Sequence, residues 1–409
     1  MTGLIDALIL GLAFAPASAS VYNVPAQSSK QCQEKTPNPL EGCPPQTLYV
    51  SQSDERADFK TIQGAIASIP NDTTLYTILI APGIYIEQLN VTRQGPLTLL
   101  GMPDYVWKGN RYADVKCNTT RSNGVQVYWN SANHDGSFTD NVYTGVLTVG
   151  PTLNATLTGS GPTGFPVPDE TPFGCTDFRA YNIDFRNDFK PYTSGPAHAL
   201  GVSRANAGFY SCGFYSYQDT VYIGKLGNTY FYDTIVAGET DFLYGFGTLY
   251  VEKSTLLLRN CGGGITAWKG TNTTFPNKYG VYISNSQVLA SNSSIATVIK
   301  DMCSLGRPWN PLHRSVFMDT YFDPSVLPAG YTEWSGATDG NYDLNTTLAV
   351  YSVYGPGYDA VAERGSNITT VFNQREASLY RSPVDVFTAP NGEQTNISWI
   401  DPLALLNYG

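Results

Sequence analysis

Charged side chains are scarce in this sequence, where they account for 14% of the 409 residues. Acidic residues outnumber basic ones, and the formal net charge is −10 at pH 7. Lys and Arg form no cluster, which argues against a nucleic-acid-binding protein, because such proteins neutralise phosphates with basic side chains. Past the amino terminus no apolar run reaches the ~18 residues that span a bilayer, so we also expect no membrane partner.

Common catalytic and metal-binding motifs are missing as well. The chain has three His residues (His134, His198 and His313) and no G-x-S-x-G motif, so neither a nucleophile elbow nor a Ser-His-Asp order is indicated. Its seven Cys residues include no C-x-x-C pair and no Cys/His spacing typical of zinc sites. These absences disfavour a serine hydrolase and a zinc protein.

The sequence does contain an aromatic-rich repeat between His198 and Gly247. Six positions recur after an offset of 22 residues, namely Phe209, Tyr210, Cys212, Phe214, Asp219 and Tyr222, matched by Phe231, Tyr232, Thr234, Val236, Asp241 and Tyr244. A fixed offset of this size is typical of stacked coils. Since Gly, Tyr and Phe are abundant, we predict an all-β protein, a single-stranded right-handed parallel β-helix. A β-propeller, with a period of ~40 residues, or a β-sandwich is the alternative.

The repeat brings two aspartates together. Stacked coils place equivalent positions about 4.8 Å apart, so Asp219 and Asp241 would lie one above the other. Two carboxylates this close are unfavourable unless one is protonated or a cation intervenes, and a calcium-binding ladder is one interpretation. Nearby residues favour catalysis instead, because Gln218 offers an amide donor for an oxyanion and Arg307 would keep one Asp ionised. One carboxylate could then attack while the other donates a proton.

Two features favour secretion. Residues 1–19 combine a short apolar run with the cleavage pattern Ala17-Ser18-Ala19, and we interpret them as a signal peptide. Nine N-x-[ST] sequons follow, at Asn71, Asn90, Asn118, Asn154, Asn272, Asn292, Asn345, Asn367 and Asn396. Because N-glycosylation sites belong to secreted proteins, we expect an extracellular glycoprotein.

The remainder is predicted to be an N-terminal arm over residues 20–46 and one β-helical domain over 47–409. A helix over Phe59–Ile69, with apolar residues at helical spacing, should cap the first coil. Residues 104–172 lack a clear repeat and are predicted to include a long excursion from the stack. The chain from residue 335 onward is predicted to pack along the outside.

Cysteine usage is consistent with secretion. Cys212 occupies an in-phase core position, so we expect it to be a buried free thiol. Sequence leaves the connectivity of the other six open, and one arrangement is Cys32–Cys43, Cys117–Cys175 and Cys261–Cys303.

Five short blocks occur in a fixed order along the chain. They are Gly83-Ile-Tyr-Ile-Glu87, Gln218-Asp-Thr220, Asp241-Phe-Leu-Tyr-Gly245, Leu305-Gly-Arg-Pro-Trp309 and Glu333-Trp-Ser-Gly336. In order and spacing, over residues 47–360, they resemble the pectin methylesterase (pectinesterase) family and its fungal-like secreted members. The resemblance implies a right-handed β-helix without a metal or organic cofactor. It also implies a monomeric carboxylic ester hydrolase that acts on pectin (homogalacturonan) in the cell wall.

The resemblance implies roles for matching positions. Asp241 resembles the nucleophile that attacks the methyl ester, and Asp219 the general acid that protonates methanol and then activates water. Gln218 resembles an oxyanion donor, and Arg307 the residue that orients the nucleophile. Glu87 resembles a structural residue. Substrate contacts are assigned to the aromatic residues Trp309, Trp334, Tyr222, Tyr244 and Trp268.

Two positions depart from the family's pattern. His198, in His198-Ala-Leu-Gly-Val202, stands where the family usually has a second oxyanion Gln. A neutral imidazole has one N–H and could still donate to the oxyanion. The alternative is that His198 only packs beneath the cleft. Trp268 stands where the family commonly has Gln, a change that would alter the cleft wall.

Other functions remain as alternatives. The first is a catalytically impaired β-helix protein that binds acidic cell-wall glycans, with His198 marking the lost activity. A polysaccharide lyase, a glycoside hydrolase or an esterase of another acyl group are further ones. Since protein and product would both be acidic, we expect mildly acid conditions to favour activity.

Overall fold

The computed structural model describes residues 30–103, 123–159, 161, 163–168, 170–270, 279–335, 342–387 and 397–405. The predicted signal peptide, the first part of the N-terminal arm, Cys117 and three of the nine sequons lie outside these residues. In the part that is described, 26 strands form three long parallel sheets.

The strands of each sheet follow one another along the stack. Sheet 1 contains β1 (Thr47–Val50), β2 (Tyr76–Ile80), β5 (Leu97–Gly101), β8 (Phe178–Tyr181), β11 (Asn206–Tyr210), β14 (Asn228–Tyr232), β17 (Thr248–Glu252), β20 (Gly280–Ser284), β23 (Arg314–Met318), β25 (Thr347–Tyr351) and β26 (Thr370–Val371). Sheet 2 contains β3 (Gly83–Ile86), β6 (Val125–Tyr128), β9 (Ile183–Arg186), β12 (Gly213–Tyr215), β15 (Ile235–Gly238), β18 (Thr255–Leu258), β21 (Gln287–Ala290) and β24 (Tyr321–Phe322). Sheet 3 contains β4 (Leu89–Val91), β7 (Leu147–Val149), β10 (Leu200–Val202), β13 (Val221–Ile223), β16 (Leu243–Gly245), β19 (Gly264–Trp268) and β22 (Ser304–Gly306).

Each coil passes from sheet 1 to sheet 2 to sheet 3 before the chain rises to the next coil. The 22-residue repeat predicts the register of two coils correctly, because Phe209 pairs with Phe231, Phe214 with Val236 and Tyr222 with Tyr244. Parallel strands joined by such crossovers wind in a right-handed sense. The predicted right-handed parallel β-helix is confirmed.

The inside of the stack is a single apolar core built from aligned side chains. Phe209 packs against Phe178 and Phe231, with ring centroids 5.7 and 5.5 Å apart. Cys212 lies in the same core as a fully buried thiol that belongs to neither disulfide, as predicted. Repeated contacts between equivalent side chains explain why aromatic residues recur in phase along the sequence.

The predicted capping helix is α1 (Ile62–Ser68), which is confirmed with slightly shorter bounds. The Thr61 side chain accepts a hydrogen bond from the Gly64 N–H at its start. Two further N–H groups of the first turn, those of Ile62 and Gln63, donate to the Glu87 carboxylate at 3.0 and 2.8 Å. Glu87 therefore joins the first coil to its cap, because helix N-termini have unpaired N–H groups.

The other helices whose bounds fall within the described residues are short. They are α2 (Ser293–Val298), α3 (Ala360–Gly365), α4 (Gln374–Ala377), α5 (Pro383–Val386) and α6 (Pro402–Leu405), with single 3₁₀ turns at Asn141–Thr144 and Asn154–Thr156. No helix among the described residues is long and apolar enough to cross a bilayer.

Two segments predicted to lie outside the stack contribute to it. Strands β6 and β7 fall within the 104–172 excursion, and β25 and β26 fall within the tail. Strands of two to five residues are too short to show a convincing alternation in sequence. Beyond them, residues 374–387 and 397–405 run against the outer face of sheet 1, where Trp399 and Phe387 pack with Tyr210 and its neighbours.

The disulfide prediction is correct for two pairs and wrong for one. Cys32–Cys43 and Cys261–Cys303 are formed. Cys175 is a buried free thiol whose Sγ lies 3.2 Å from the Gly95 carbonyl oxygen. Its side chain points into the apolar core, so it does not reach an external partner.

Candidate active site

The two aspartates occupy equivalent corners at the entry to sheet 3. Asp219 precedes β13 and Asp241 precedes β16, and the two strands pair with Val221 opposite Leu243. The Asp219 N–H donates to the Thr240 carbonyl at 3.0 Å, and the Asp241 N–H donates to the Gly264 carbonyl at 2.8 Å. The two side chains are therefore attached to successive coils, as the repeat predicts.

Both corners adopt the left-handed backbone conformation, with φ of +57° at Asp219 and +47° at Asp241. Among residues other than Gly, Asp and Asn tolerate this conformation best. It turns the chain sharply between sheet 2 and sheet 3. The local fold thus places one carboxylate at the edge of the outer face of sheet 3 in each of two consecutive coils.

Arg307 holds the Asp241 carboxylate with both of its arms. Arg307 Nε donates to Asp241 Oδ1 at 2.9 Å, and Arg307 Nη2 donates to Oδ2 at 2.6 Å. A third hydrogen bond comes from the Gly264 N–H to Oδ1 at 3.1 Å. Arg307 follows directly on β22, and its Cζ lies 4.0 Å from the centroid of the Trp334 ring system. These contacts fix the orientation of Asp241 and compensate its negative charge.

Asp219 has a different environment. Its side chain is almost fully buried, and this burial, with the negative charge of Asp241 added, raises the pKa of Asp219 well above its usual range. The positive charges of Lys269 and Arg307 act in the opposite direction. Asp219 is therefore suited to carry a proton beside an Asp241 that is paired with Arg307. In the described part of the chain, no group of three or more metal-ligating side chains could hold a metal ion with these aspartates.

Gln218 is the residue immediately before Asp219. Its carbonyl accepts the Ala197 N–H at 3.1 Å, and the residue bridges to Thr240 in the next coil. The side chain is half-buried beside Tyr217 in a shallow depression. Its amide is placed at the same corner as the paired carboxylates.

His198 lies deeper than the sequence suggested. Its side chain is fully buried, its Nε2 is 2.6 Å from the Tyr244 hydroxyl, and its ring is nearly parallel to that of Tyr222 at 5.8 Å. Burial lowers the pKa of His198 to about 4, so the imidazole is neutral at neutral pH. The contact of His198 is with Tyr244 and not with an open cleft, which corresponds to the packing alternative.

The aromatic residues fall into two groups. Trp309 and Trp334 are partly exposed, with ring centroids 5.1 Å apart, and they border the site beside Arg307. Tyr222 and Tyr244 are each 1% exposed, and Trp268 is fully buried in the core with its indole N–H bonded to the Gly247 carbonyl at 3.0 Å. Other atoms cover these three side chains, and their role as substrate contacts stays a prediction.

A chain segment that sequence reasoning did not single out covers part of Tyr222. We call it the strap, and it comprises residues 157–159, 161 and 163–165. The Tyr222 hydroxyl lies 3.5 Å from the Leu157 carbonyl oxygen, and Gly164 packs closely on the Phe246 ring. The Asp140 carboxylate anchors the strap by accepting the N–H groups of Thr158 and Gly159, at 3.0 and 2.8 Å.

Lys269 is the second feature that sequence reasoning missed. This lysine is 1% exposed, with Nζ 3.5 Å from the centroid of the Trp309 ring system, and burial lowers its pKa to about 8. Its signal was its position: it directly follows Trp268 in a chain with few charges, at the end of strand β19 of sheet 3.

Two paired aspartates lie on the outside of a parallel β-helix, one held by an arginine and the other buried. This arrangement fits a hydrolase whose catalytic groups are carboxylates. The Pectinesterase family model matches residues 172–382, which is more than half of the chain. The chain therefore belongs to the pectinesterase family and is a carboxylic ester hydrolase.

Individual relatives cover most of the chain. "Probable pectinesterase A" of Aspergillus niger is 25% identical over 363 residues, which are 88% of this chain and 94% of the relative. A pectin methylesterase structure from Erwinia chrysanthemi superposes with a TM-score of 0.61 at 24% identity, covering 82% of this chain and 95% of the other. A pectin methylesterase in complex with a hexasaccharide gives a TM-score of 0.62 at 24% identity, covering 85% and 98%. The structural matches establish the fold.

Proposed function

We propose that this enzyme removes methyl esters from pectin, with Asp241 as nucleophile and Asp219 as acid and base. Family membership supports the reaction and the pectin-type substrate. The observation that carries the residue assignment is the unequal pair: Arg307 grips Asp241 with two short hydrogen bonds, whereas burial raises the pKa of Asp219.

In the first half-reaction, an Asp241 carboxylate oxygen attacks the carbonyl carbon of the methyl ester. The electron pair of the C=O bond moves to oxygen, where the Gln218 amide can donate to the oxyanion. When the intermediate collapses, the bond to the methoxy oxygen breaks and Asp219 transfers its proton to this oxygen. Methanol leaves, and the sugar acyl group remains on Asp241 as an anhydride.

In the second half-reaction, Asp219 is a carboxylate and removes a proton from water. The resulting hydroxide attacks the sugar acyl carbon, the bond to Asp241 breaks, and the galacturonic acid unit departs. Asp241 regains its charge and its contacts with Arg307, and Asp219 is protonated again. The net change is one ester and one water converted to one acid and one methanol.

His198 is assigned a positioning role in this proposal. Its Nε2 lies 2.6 Å from the hydroxyl of Tyr244, whose ring packs against Trp309 at 6.5 Å. The imidazole therefore acts on the aromatic border of the site through Tyr244, without a direct contact with the oxyanion. This arrangement does not require the site to have lost activity, because the two aspartates and Arg307 keep their geometry.

The test is methanol release from highly methyl-esterified polygalacturonate by wild type and Asp241→Ala. The variant should release none above background while keeping its unfolding transition. Asp233→Ala is a matched control, because Asp233 also has a left-handed backbone (φ +53°) but lies at the corner between sheets 1 and 2. Turnover of Asp241→Ala within tenfold of the control would remove the nucleophile assignment.

We also propose that the enzyme is a secreted monomeric glycoprotein that acts at the cell wall. Two disulfides suit an oxidising compartment. Sequon residues on the surface are available for glycans, and they are Asn71, Asn154, Asn292, Asn345 and Asn367. Expression in a secreting host should give an extracellular protein whose mass falls on treatment with a glycosidase, and light scattering should give one chain per particle.

A further inference from the structure

Two lysines converge on one aromatic ring beside the candidate active site. Lys225 Nζ lies 5.1 Å and Lys269 Nζ 5.0 Å from the centroid of Phe246, which is fully buried. Lys225 follows β13 and Lys269 follows β19, so both lie at the edge of sheet 3 opposite to the aspartate corners. Burial, with the positive charge of Lys225 added, lowers the pKa of Lys269, so the two ammonium groups repel one another, and an anion between them would relieve this repulsion.

Neither lysine has such an anion in the described part of the chain. No carboxylate there is within ion-pair distance of Lys225 or Lys269. Their acceptors are neutral carbonyl groups of the strap, Phe165 O for Lys225 at 2.7 Å and Gly161 O for Lys269 at 3.2 Å. Each ammonium has three donors, and only one protein acceptor is found for each in the described part of the chain.

We propose that Lys225 and Lys269 form a subsite for the free carboxylate of a galacturonate unit, in place of the Gly161 and Phe165 carbonyls of the strap. This inference rests on the proposed function, because the same polymer would supply both the ester and the carboxylate. A hydrogen bond between two charged groups is about twice as strong as one to a neutral carbonyl. An incoming carboxylate would also separate the two positive charges.

The strap is built so that its carbonyls can be replaced. Gly159, Gly161 and Gly164 have φ of +68°, +76° and +61°, conformations that Gly adopts without strain. At Gly161 and Gly164 the contact with the face of sheet 3 consists of backbone, without side chains that would have to leave a pocket. Exchange of the Gly161 carbonyl for a sugar carboxylate therefore displaces no side chain of Gly161 or Gly164.

Trp309 connects this subsite to the reaction. Its ring system lies 3.5 Å from Lys269 Nζ and 5.1 Å from Trp334, which in turn packs on the guanidinium that holds Asp241. A carboxylate on the lysines would thus belong to a sugar close to the one whose ester is attacked. The enzyme should then prefer partly demethylated pectin, although its net charge is −10.

The test compares a fully methyl-esterified hexagalacturonate with one in which about half of the carboxyls are free. Wild type should have the higher kcat/KM on the second substrate. Lys225→Met and Lys269→Met should each lower that preference about tenfold, the effect of one charge-assisted hydrogen bond, and Lys269→Arg should retain it. Lys253→Met is the control, because Lys253 also lies over an aromatic ring (Tyr232, 5.2 Å) but at the corner between sheets 1 and 2.

Calorimetry with trigalacturonate, which has no ester, separates the subsite from the proposed function. In an Asp241→Ala background, Lys269→Met should weaken binding about tenfold, and Lys253→Met should not. If no methanol is released but binding depends on the lysines, the proposed function is wrong and the subsite stands. Equal substrate preference in wild type and both Met variants, or trigalacturonate binding that ignores the lysines, overturns the subsite.

Discussion

Replacing Arg307 tests directly whether Asp241 and Asp219 have different catalytic roles. In Arg307→Met, the Asp241 carboxylate loses the two hydrogen bonds at 2.9 and 2.6 Å and keeps the one from the Gly264 N–H. The carboxylate is 4% exposed, so water cannot replace the lost donors easily. The nucleophile would then have a less defined orientation and no positive partner for its charge.

The size of the effect follows from the two lost contacts. Hydrogen bonds to charged groups contribute about 1.5–3 kcal/mol each. Because 17% of the Arg307 side chain is exposed, we take the lower part of this range, which gives about 3–4 kcal/mol for the pair. At 1.36 kcal/mol per factor of ten, kcat should fall by about 10²–10³. Arg307→Lys, which keeps a charge but only one arm, should lose about 10–30-fold.

The assay is methanol release over a range of substrate concentrations, together with chemical unfolding of each variant. The effect should appear mainly in kcat, because Arg307 contacts the nucleophile. Arg179→Met is the matched control: Arg179 holds Asp177 with the same two-armed geometry, at 2.8 and 3.0 Å, beside sheet 1. It should lose stability without losing turnover.

One result would refute this reasoning. If Arg307→Met is folded and its kcat is within threefold of wild type, the arginine does not prepare Asp241 for attack. The unequal roles of the two aspartates would then need another origin. Equal losses in Arg307→Met and Arg179→Met would point to stability instead of catalysis.

Three further predictions concern Asp219, His198 and Trp268. Asp219→Asn cannot protonate methanol, so its kcat should fall about 10²–10⁴-fold. In wild type, kcat/KM should decline at alkaline pH as Asp219 loses its proton, and this decline should be absent from the residual rate of the variant. An unchanged pH–rate profile would contradict the acid role. His198 has a pKa lowered from 6.5 to about 4, so its contribution to stability is present above pH 6.5 and is lost as the pH falls to 4. In urea unfolding, the free energy of unfolding of His198→Gln should rise by up to roughly 3 kcal/mol relative to that of wild type between pH 7 and pH 4. The pH–rate profile of the variant should be unchanged between pH 5 and 8. Trp268→Ala should cost about 3–5 kcal/mol of unfolding free energy, because it empties a fully buried site, whereas Trp268→Phe should leave KM unchanged; a raised KM in Trp268→Phe would restore a role in the cleft.

The repeat made the centre of the site predictable from sequence. Equal offsets mean equal positions on successive rungs, so Asp219 and Asp241 had to stack once the coils were recognised. The partner of Asp241 was predictable for a different reason, since Arg307 belongs to a short block of characteristic composition. Both predictions depend on local sequence and on the register of a regular fold.

Exposure was not predictable in the same way. Tyr222 and Tyr244 point outward from sheet 3, as their period requires, yet both are buried, and the Tyr222 hydroxyl contacts Leu157, which lies 65 residues earlier in the chain. The alternation of apolar and polar residues along a strand does not indicate which other segment covers the outer face of that strand. The same limit applies to Lys269, whose burial results from Trp309 and Gly161, residues distant from it in sequence.

The hydrogen bonds of Asp401 can form only after most of the chain has been synthesised. Its N–H donates to the Tyr210 hydroxyl oxygen at 2.7 Å, and its carboxylate accepts a hydrogen bond from the Tyr181 hydroxyl at 2.8 Å, across 191 and 220 residues of chain. At a synthesis rate of about 5–20 residues per second, Asp401 is made roughly 10–45 s after these tyrosines. During that interval a tyrosine-rich sheet surface is open to other nascent chains, so chaperone demand should peak late in synthesis, after the coils themselves have formed.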